Sequence, residues 1–168
     1  MKTEVGENNV RTLLDEERVD KYLIFRLNEE HFGIGVLQIR EIIRLQPITR
    51  VPHMPNYVRG VINLRGKVVP VIDLRMKFDF KEVAETMETC IVVIQIEDES
   101  DLPTLMGMIV DEVDEVVNIP HAEVNENIDL GQSVDSEYIM GIAKVRGELR
   151  VLLKIDFQRI KNSLASKS

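Results

Sequence analysis

Tyr57-Val58-Arg59-Gly60-Val61-Ile62-Asn63-Leu64-Arg65-Gly66 lies over Tyr138-Ile139-Met140-Gly141-Ile142-Ala143-Lys144-Val145-Arg146-Gly147 at a constant offset of 81 residues. Tyr, Gly, Arg and Gly coincide, and apolar matches continue past the turn: Val68 with Leu149, Val71 with Leu152, Ile72 with Leu153, Leu74 with Ile155. Each block reads as a β-hairpin, in which an apolar run enters an Arg-Gly turn and a second run returns; glycine supplies the positive φ that a tight turn requires. Upstream, Gly33-Ile34-Gly35-Val36-Leu37-Gln38-Ile39-Arg40-Glu41-Ile42-Ile43 lies over Gly107-Met108-Ile109-Val110-Asp111-Glu112-Val113-Asp114-Glu115-Val116-Val117 at an offset of 74, with Glu41 on Glu115. The offset grows by seven because the second half has the longer loop around 121–135. Two separated blocks that match in the same order indicate an internal duplication. It predicts two similar units, about 20–85 and 86–160, each of about five short strands closed into a small barrel that protects its edges. A cleft between similar halves is a usual partner or ligand site.

Outward from these blocks, residues 1–19 read as a tail and 161–168 as a second one. Tyr22 to Leu27 and His31 to Val36 are strands separated by the polar turn Asn28-Glu29-Glu30. Leu37 to Leu45 is ambiguous between a helical turn and a strand, and Pro47, Pro52 and Pro55 enforce an irregular connection. Pro70 places its strand at an edge or a bulge, since proline cannot donate to a ladder. Thr89 to Glu97 is one more strand, Leu105 to Ile119 supplies one or two, and 121–135 is a surface loop. Asp156 caps a short C-terminal helix.

Composition narrows the chemistry. The 168 residues carry a net charge of −8, which argues against a nucleic-acid partner, because neutralising phosphates needs a basic surface. The charge is segregated: residues 40–77 hold eight basic side chains against Glu41 and Asp73, whereas 78–139 hold Lys81 against seventeen acidic ones. Such segregation gives two surfaces of opposite field that can meet different partners or stack head to tail. No apolar run reaches the roughly 18–20 residues of a membrane span, and Met1 to Glu7 lacks the apolar stretch of a secretory signal. These features predict a cytoplasmic protein. Cys90 is the only cysteine, so neither an internal disulfide nor a cysteine zinc cluster is expected.

Catalytic constellations are thin. His31, His53 and His121 lack zinc spacing, no Ser sits in Gly-x-Ser-x-Gly, and there is no phosphate loop or dinucleotide fingerprint. No metal or cofactor is therefore expected, and no enzyme. Cys90 opens the alternating set Cys90, Val92, Ile94, Ile96 and reads as a small buried apolar group. Met106 and Met108 share a strand face and read as core; Asp98, Glu99 and Asp101 read as a solvated loop. Asp111, Glu112, Asp114 and Glu115 read as a polar face that a basic partner could recognise. Arg65 stands at a hairpin tip, where its planar guanidinium can hold a carboxylate through two bonds.

Gly33-Ile34-Gly35-Val36, Ile39-Arg40-Glu41-Ile42, Thr49-Arg50-Val51-Pro52, Pro55, Gly60-Val61-Ile62-Asn63-Leu64-Arg65-Gly66 and Val69-Pro70-Val71-Ile72-Asp73-Leu74 resemble the CheW family of bacterial chemotaxis coupling proteins. The resemblance runs from about Lys21 to Ile160. It implies a mostly β fold: two SH3-like five-stranded barrels with strands exchanged between the halves. It implies a non-catalytic adaptor that joins the cytoplasmic tips of methyl-accepting receptors to the regulatory domain of the histidine kinase CheA, in the cytoplasm at receptor arrays. Position by position, Ile39, Glu41, Gly60, Arg65, Val110 and Gly141 fall where the family places residues that contact the receptor or support its groove. Two other classes remain open. A small β-barrel nucleic-acid-binding module would use the basic stretch 40–77, and a hydrolase would need a buried acid–base group in a pocket.

Overall fold

Both Arg-Gly dipeptides turn the chain with two successive residues at positive φ: Arg65 at 51° and Gly66 at 87°, Arg146 at 52° and Gly147 at 84°. This is the type I′ geometry whose twist matches that of the flanking strands. At the first turn the Gly66 amide also donates to Asn63 Oδ1 at 2.8 Å.

The computed structural model describes residues 18–81, 84–96, 104–126 and 138–155. These contain β1 (Val19–Leu27), β2 (Glu30–Gly35), β3 (Ile39–Arg44), β4 (Val58–Leu64), β5 (Lys67–Ile72), β6 (Cys90–Ile96), β7 (Thr104–Val110), β8 (Glu112–Pro120), β9 (Ile139–Val145) and β10 (Glu148–Leu153). The tails, the expected C-terminal helix and most of the 121–135 loop lie outside the described residues. The ambiguous Leu37–Leu45 stretch resolves into both alternatives, a 3-10 turn at Val36–Gln38 followed by β3. One turn of α-helix at Leu74–Lys77, capped by Asp73, was not foreseen from periodicity.

The strands form two five-stranded sheets, ordered β8-β1-β2-β10-β9 and β3-β6-β7-β5-β4. If β1–β5 is the first half and β6–β10 the second, the two orders are the same under the repeat. Each sheet takes two strands from one half and three from the other. The repeat alone predicts a barrel per half, and the structure corrects this to exchanged strands. The halves are joined by the antiparallel ladders β1–β8 and β3–β6 and by two short parallel ones, Val71–Ile72 of β5 against Gly107–Met108 of β7 and Val151–Leu153 of β10 against Phe32–Ile34 of β2. Each sheet closes into a barrel (barrel A around β1, barrel B around β6) where the chain after an edge strand returns to the opposite edge. Thr49 exchanges two backbone hydrogen bonds with Val61 at 2.9 and 2.8 Å, and Asn125 does the same with Ile142 at 2.9 and 3.0 Å. Pro70 is in neither an edge strand nor a bulge. The parallel ladder of β5 begins only at Val71, so that ladder does not need the amide hydrogen that proline lacks.

The central strands are buried on both faces, which is why they read as continuous apolar runs rather than as alternation. On β1, Leu23, Phe25 and Leu27 face a core shared by the two barrels, while Tyr22 belongs to the cluster inside barrel A. On β6, Val92, Ile94 and Ile96 face the shared core, and Ile91 and Val93 fill barrel B. Met106 and Met108 are fully buried in the shared core, as their common strand face implies. Phe25, Phe32, Phe78, Phe80 and Tyr138 stack through it with ring centroids 6.0–6.4 Å apart. The shared core fixes the two barrels against each other.

Candidate functional site

Five of the six expected site residues lie on barrel B, four of them on β3, β4 and the β4–β5 tip. Ile39 and Glu41 are on β3, with Ile39 packed against the shared core; Gly60 is on β4, and Arg65 is at the β4–β5 tip. Glu41 and Arg65 meet across the barrel's closing seam, where the Arg65 guanidinium donates to the Glu41 carboxylate. Arg65 is 71% exposed and Glu41 25%, so the pair offers a cation held in place by a half-sunk carboxylate. Gly60 lies behind it on the same seam. A Cβ there would stand 2.1 Å from the Thr49 carbonyl oxygen, and its φ is +141°. Its part is to let two backbones approach, since it has no surface for a partner.

The other two stand apart. Val110 ends β7 with no exposed surface, inside the shared core. Gly141 is buried on the seam of barrel A, where a Cβ would meet the Asn125 carbonyl oxygen at 2.8 Å. It is the counterpart of Gly60 under the repeat. The counterpart of the Glu41–Arg65 pair is also formed: Arg146 donates to Glu115 at 2.6 Å, with Arg146 73% exposed. The sequence held the signal for this second pair, because both members coincide with the first in the aligned blocks.

A groove of about 810 Å³ lies along barrel A, lined by Val19, Tyr22, Leu37, Met140 and Leu153, where it meets Gln95 and Ile96 of β6 in barrel B. Leu37 is 98% exposed at this groove. None of the six site residues lines it directly; Gln38 beside Ile39 and Met140 beside Gly141 do.

A buried charge cluster braces the arrangement. Arg75 grips Asp73 through two bonds of 2.9 Å, from Nε to Oδ1 and Nη2 to Oδ2, and its Nη1 donates to Asp111 Oδ1 at 2.7 Å. The amide of Asn28 donates to Asp111 Oδ2 at 2.5 Å, and Arg59 reaches Asp73 Oδ2 at 3.2 Å. Asp111 therefore does not belong to the polar face that the sequence suggested. It is 3% exposed at the crossing from β7 to β8, where it ties the β1–β2 turn of barrel A to the helix after β5 of barrel B. Glu115 leaves that face too, pointing to Arg146, so that only Glu112 and Asp114 are exposed acids there.

Cys90 is half-buried, and that burial pushes its thiol above the usual range, away from the thiolate a nucleophile needs. Among the described residues no three His, Cys, Asp or Glu side chains gather to hold a metal ion. No helix there is long and apolar enough to cross a membrane.

The CheW-like domain family matches residues 21–164. The chain belongs to the CheW family. It is 35% identical to the chemotaxis protein CheW of Bacillus subtilis over 152 residues, covering 89% of this chain and 91% of that one. It is 30% identical to the CheW of Klebsiella aerogenes over 158 residues, covering 94% and 91% of the two chains. The crystal structure of the scaffolding protein TtCheW from Thermoanaerobacter tengcongensis superposes with a TM-score of 0.75 at 30% identity, covering 83% of this chain and 87% of that one. A CheW-family chain is a scaffold of chemotaxis signalling, and the strand-exchanged double barrel is that family's fold. The nucleic-acid alternative finds no support among these relatives.

Proposed function

We propose that this CheW-family protein is a non-catalytic adaptor in the cytoplasm. It joins the helical tips of methyl-accepting receptors to the regulatory domain of the histidine kinase CheA at membrane-associated arrays. The observation that carries this reading is the likeness of the double barrel to a scaffolding protein, with a shared core and a groove of mixed apolar and charged lining beside it. An amphipathic helical hairpin suits such a groove. Outside the groove, on the seam of barrel B, Arg65 oriented by Glu41 offers a planar cation that can take a carboxylate or carbonyl of a partner. Val110, Gly60 and Gly141 support the two seams and the core behind it. Kinase and receptor contacts of modest area exchange readily and gain strength by being linked in an array.

Arg65→Ala separates binding from folding. Because the ion pair is largely exposed, its loss is expected to change stability by no more than about 1 kcal/mol. If Arg65 is an interface anchor, affinity for a receptor-tip fragment falls by about 2 kcal/mol, roughly 30-fold. Calorimetric titration of the fragment reads this directly, and unchanged affinity with an intact fold removes Arg65 from the docking surface.

A further inference from the structure

The connection between β3 and β4 walls a second cavity, of about 1040 Å³, which shares no lining residue with the groove along barrel A. Ile48, Val51 and Met76 give it apolar wall, while Arg50, His53 and Arg59 bring polar groups to it and Glu85 is the acid in its lining. The connection is held at both ends. Thr49 is tied to Val61 by the two backbone bonds of the seam, and the Val58 amide donates to the Pro55 carbonyl at 3.0 Å. Pro52 and Pro55 stiffen the stretch between, where His53 stands at a φ of 65°, a left-handed conformation uncommon outside glycine. The arginines of this region are not alike. Arg40 is bonded to Gln95, Arg65 to Glu41, Arg75 to Asp73 and Asp111, and Arg59 to the buried Asp73 at 3.2 Å. Arg50 and His53 are exposed and have no hydrogen-bond or ion-pair partner among the described residues.

We propose that this cavity binds a small organic anion. The planar guanidinium of Arg50 takes the carboxylate of the ligand through two bonds, His53 adds a ring N–H, and the apolar body of the ligand packs on Ile48, Val51 and Met76. A preformed cavity with apolar walls and a few polar groups that fix orientation is the ordinary make-up of a small-molecule site. Charge decides the sign of the ligand. The Arg59 cation is already opposed by Asp73, whereas Arg50 has no counter-ion among the described residues that an incoming anion must displace. Glu85 works against an anion and so limits its affinity. Because the connection is fixed at both ends before the ligand arrives, little ordering of the chain opposes binding. The site goes beyond the receptor-coupling reading and does not rest on it.

Titration of the full chain with 1-naphthoate, followed through the backbone amide signals in two-dimensional NMR spectra, tests it. Saturable shifts are expected around residues 45–59, with a dissociation constant of about a millimolar or below. Arg50→Gln is expected to weaken binding at least about tenfold, and Arg50→Lys, which keeps the charge without the fork, to fall between it and the parent. Glu85→Gln removes the like charge and should leave binding equal or tighter. The neutral 1-naphthalenemethanol should bind at least about tenfold more weakly than the carboxylate. Arg50 makes no bond within the described protein, so its variants should keep the parent's urea midpoint and report on the ligand alone. Shifts centred on Leu37 and Met140 instead, equal binding of the alcohol, an Arg50→Gln variant that binds like the parent, or no saturable shift at all would each overturn the proposal. None of these outcomes involves receptor or kinase, so coupling can fail or hold independently.

Discussion

Arg75→Ala is expected to lower the unfolding free energy by about 3–5 kcal/mol, the usual cost of removing one partner from a buried charge cluster. Asp73 is fully buried and Asp111 nearly so, and Arg75 supplies both with hydrogen bonds. Without the guanidinium, two carboxylates remain in the interior with only backbone amides and Arg59 to hold them. A stability of about 5–15 kcal/mol is ordinary for such a domain, so this loss is a large share of it. Arg75→Lys restores the charge without the two-pronged fork and is expected to recover only part of the loss. Urea unfolding provides the measurement: the midpoint should fall with an unchanged slope. A loss below about 1 kcal/mol would mean that the cluster does not brace the barrels.

The second large effect is Gly60→Ala, which adds one methyl group. The new Cβ would lie 2.1 Å from the Thr49 carbonyl oxygen, and that oxygen is fixed by the Val61 amide at 2.8 Å. Backbone has to move, and a φ of +141° is one that L side chains rarely adopt. Strain and overpacking together are expected to cost about 2–4 kcal/mol and to open the seam of barrel B. Gly141→Ala meets its obstacle at 2.8 Å and Gly141 does not sit at positive φ, so it should cost less. Hydrogen exchange at the Thr49 and Val61 amides locates the damage. Equal losses at the two glycines would refute the difference in closure between the seams.

The hairpins, both turns and the duplication are legible in the sequence because they are local: an Arg-Gly turn with apolar arms has one economical fold. The exchange of strands is not legible in the repeat, since it depends on pairings between distant segments, β1 with β8 and β3 with β6 as well as short parallel ladders such as Val71 with Gly107. Sequence resemblance supplied it where periodicity could not. Asp111 misled for a similar reason. Flanked by Glu112 and Asp114 it looks like one more surface acid, and only the fold brings Arg75 and the Asn28 amide to it. Of the six expected site residues, the seam trio Glu41, Gly60 and Arg65 is brought together by the fold, while Val110 and Gly141 lie in other parts of it.

Coupling itself is tested most directly by co-sedimentation of a receptor-tip fragment and the CheA regulatory domain, each with this protein, and then all three together. An adaptor gives a ternary species that contains all three proteins and disappears when the double barrel is left out. Binding of receptor tip and kinase domain in mutually exclusive complexes, or binding of neither, contradicts it.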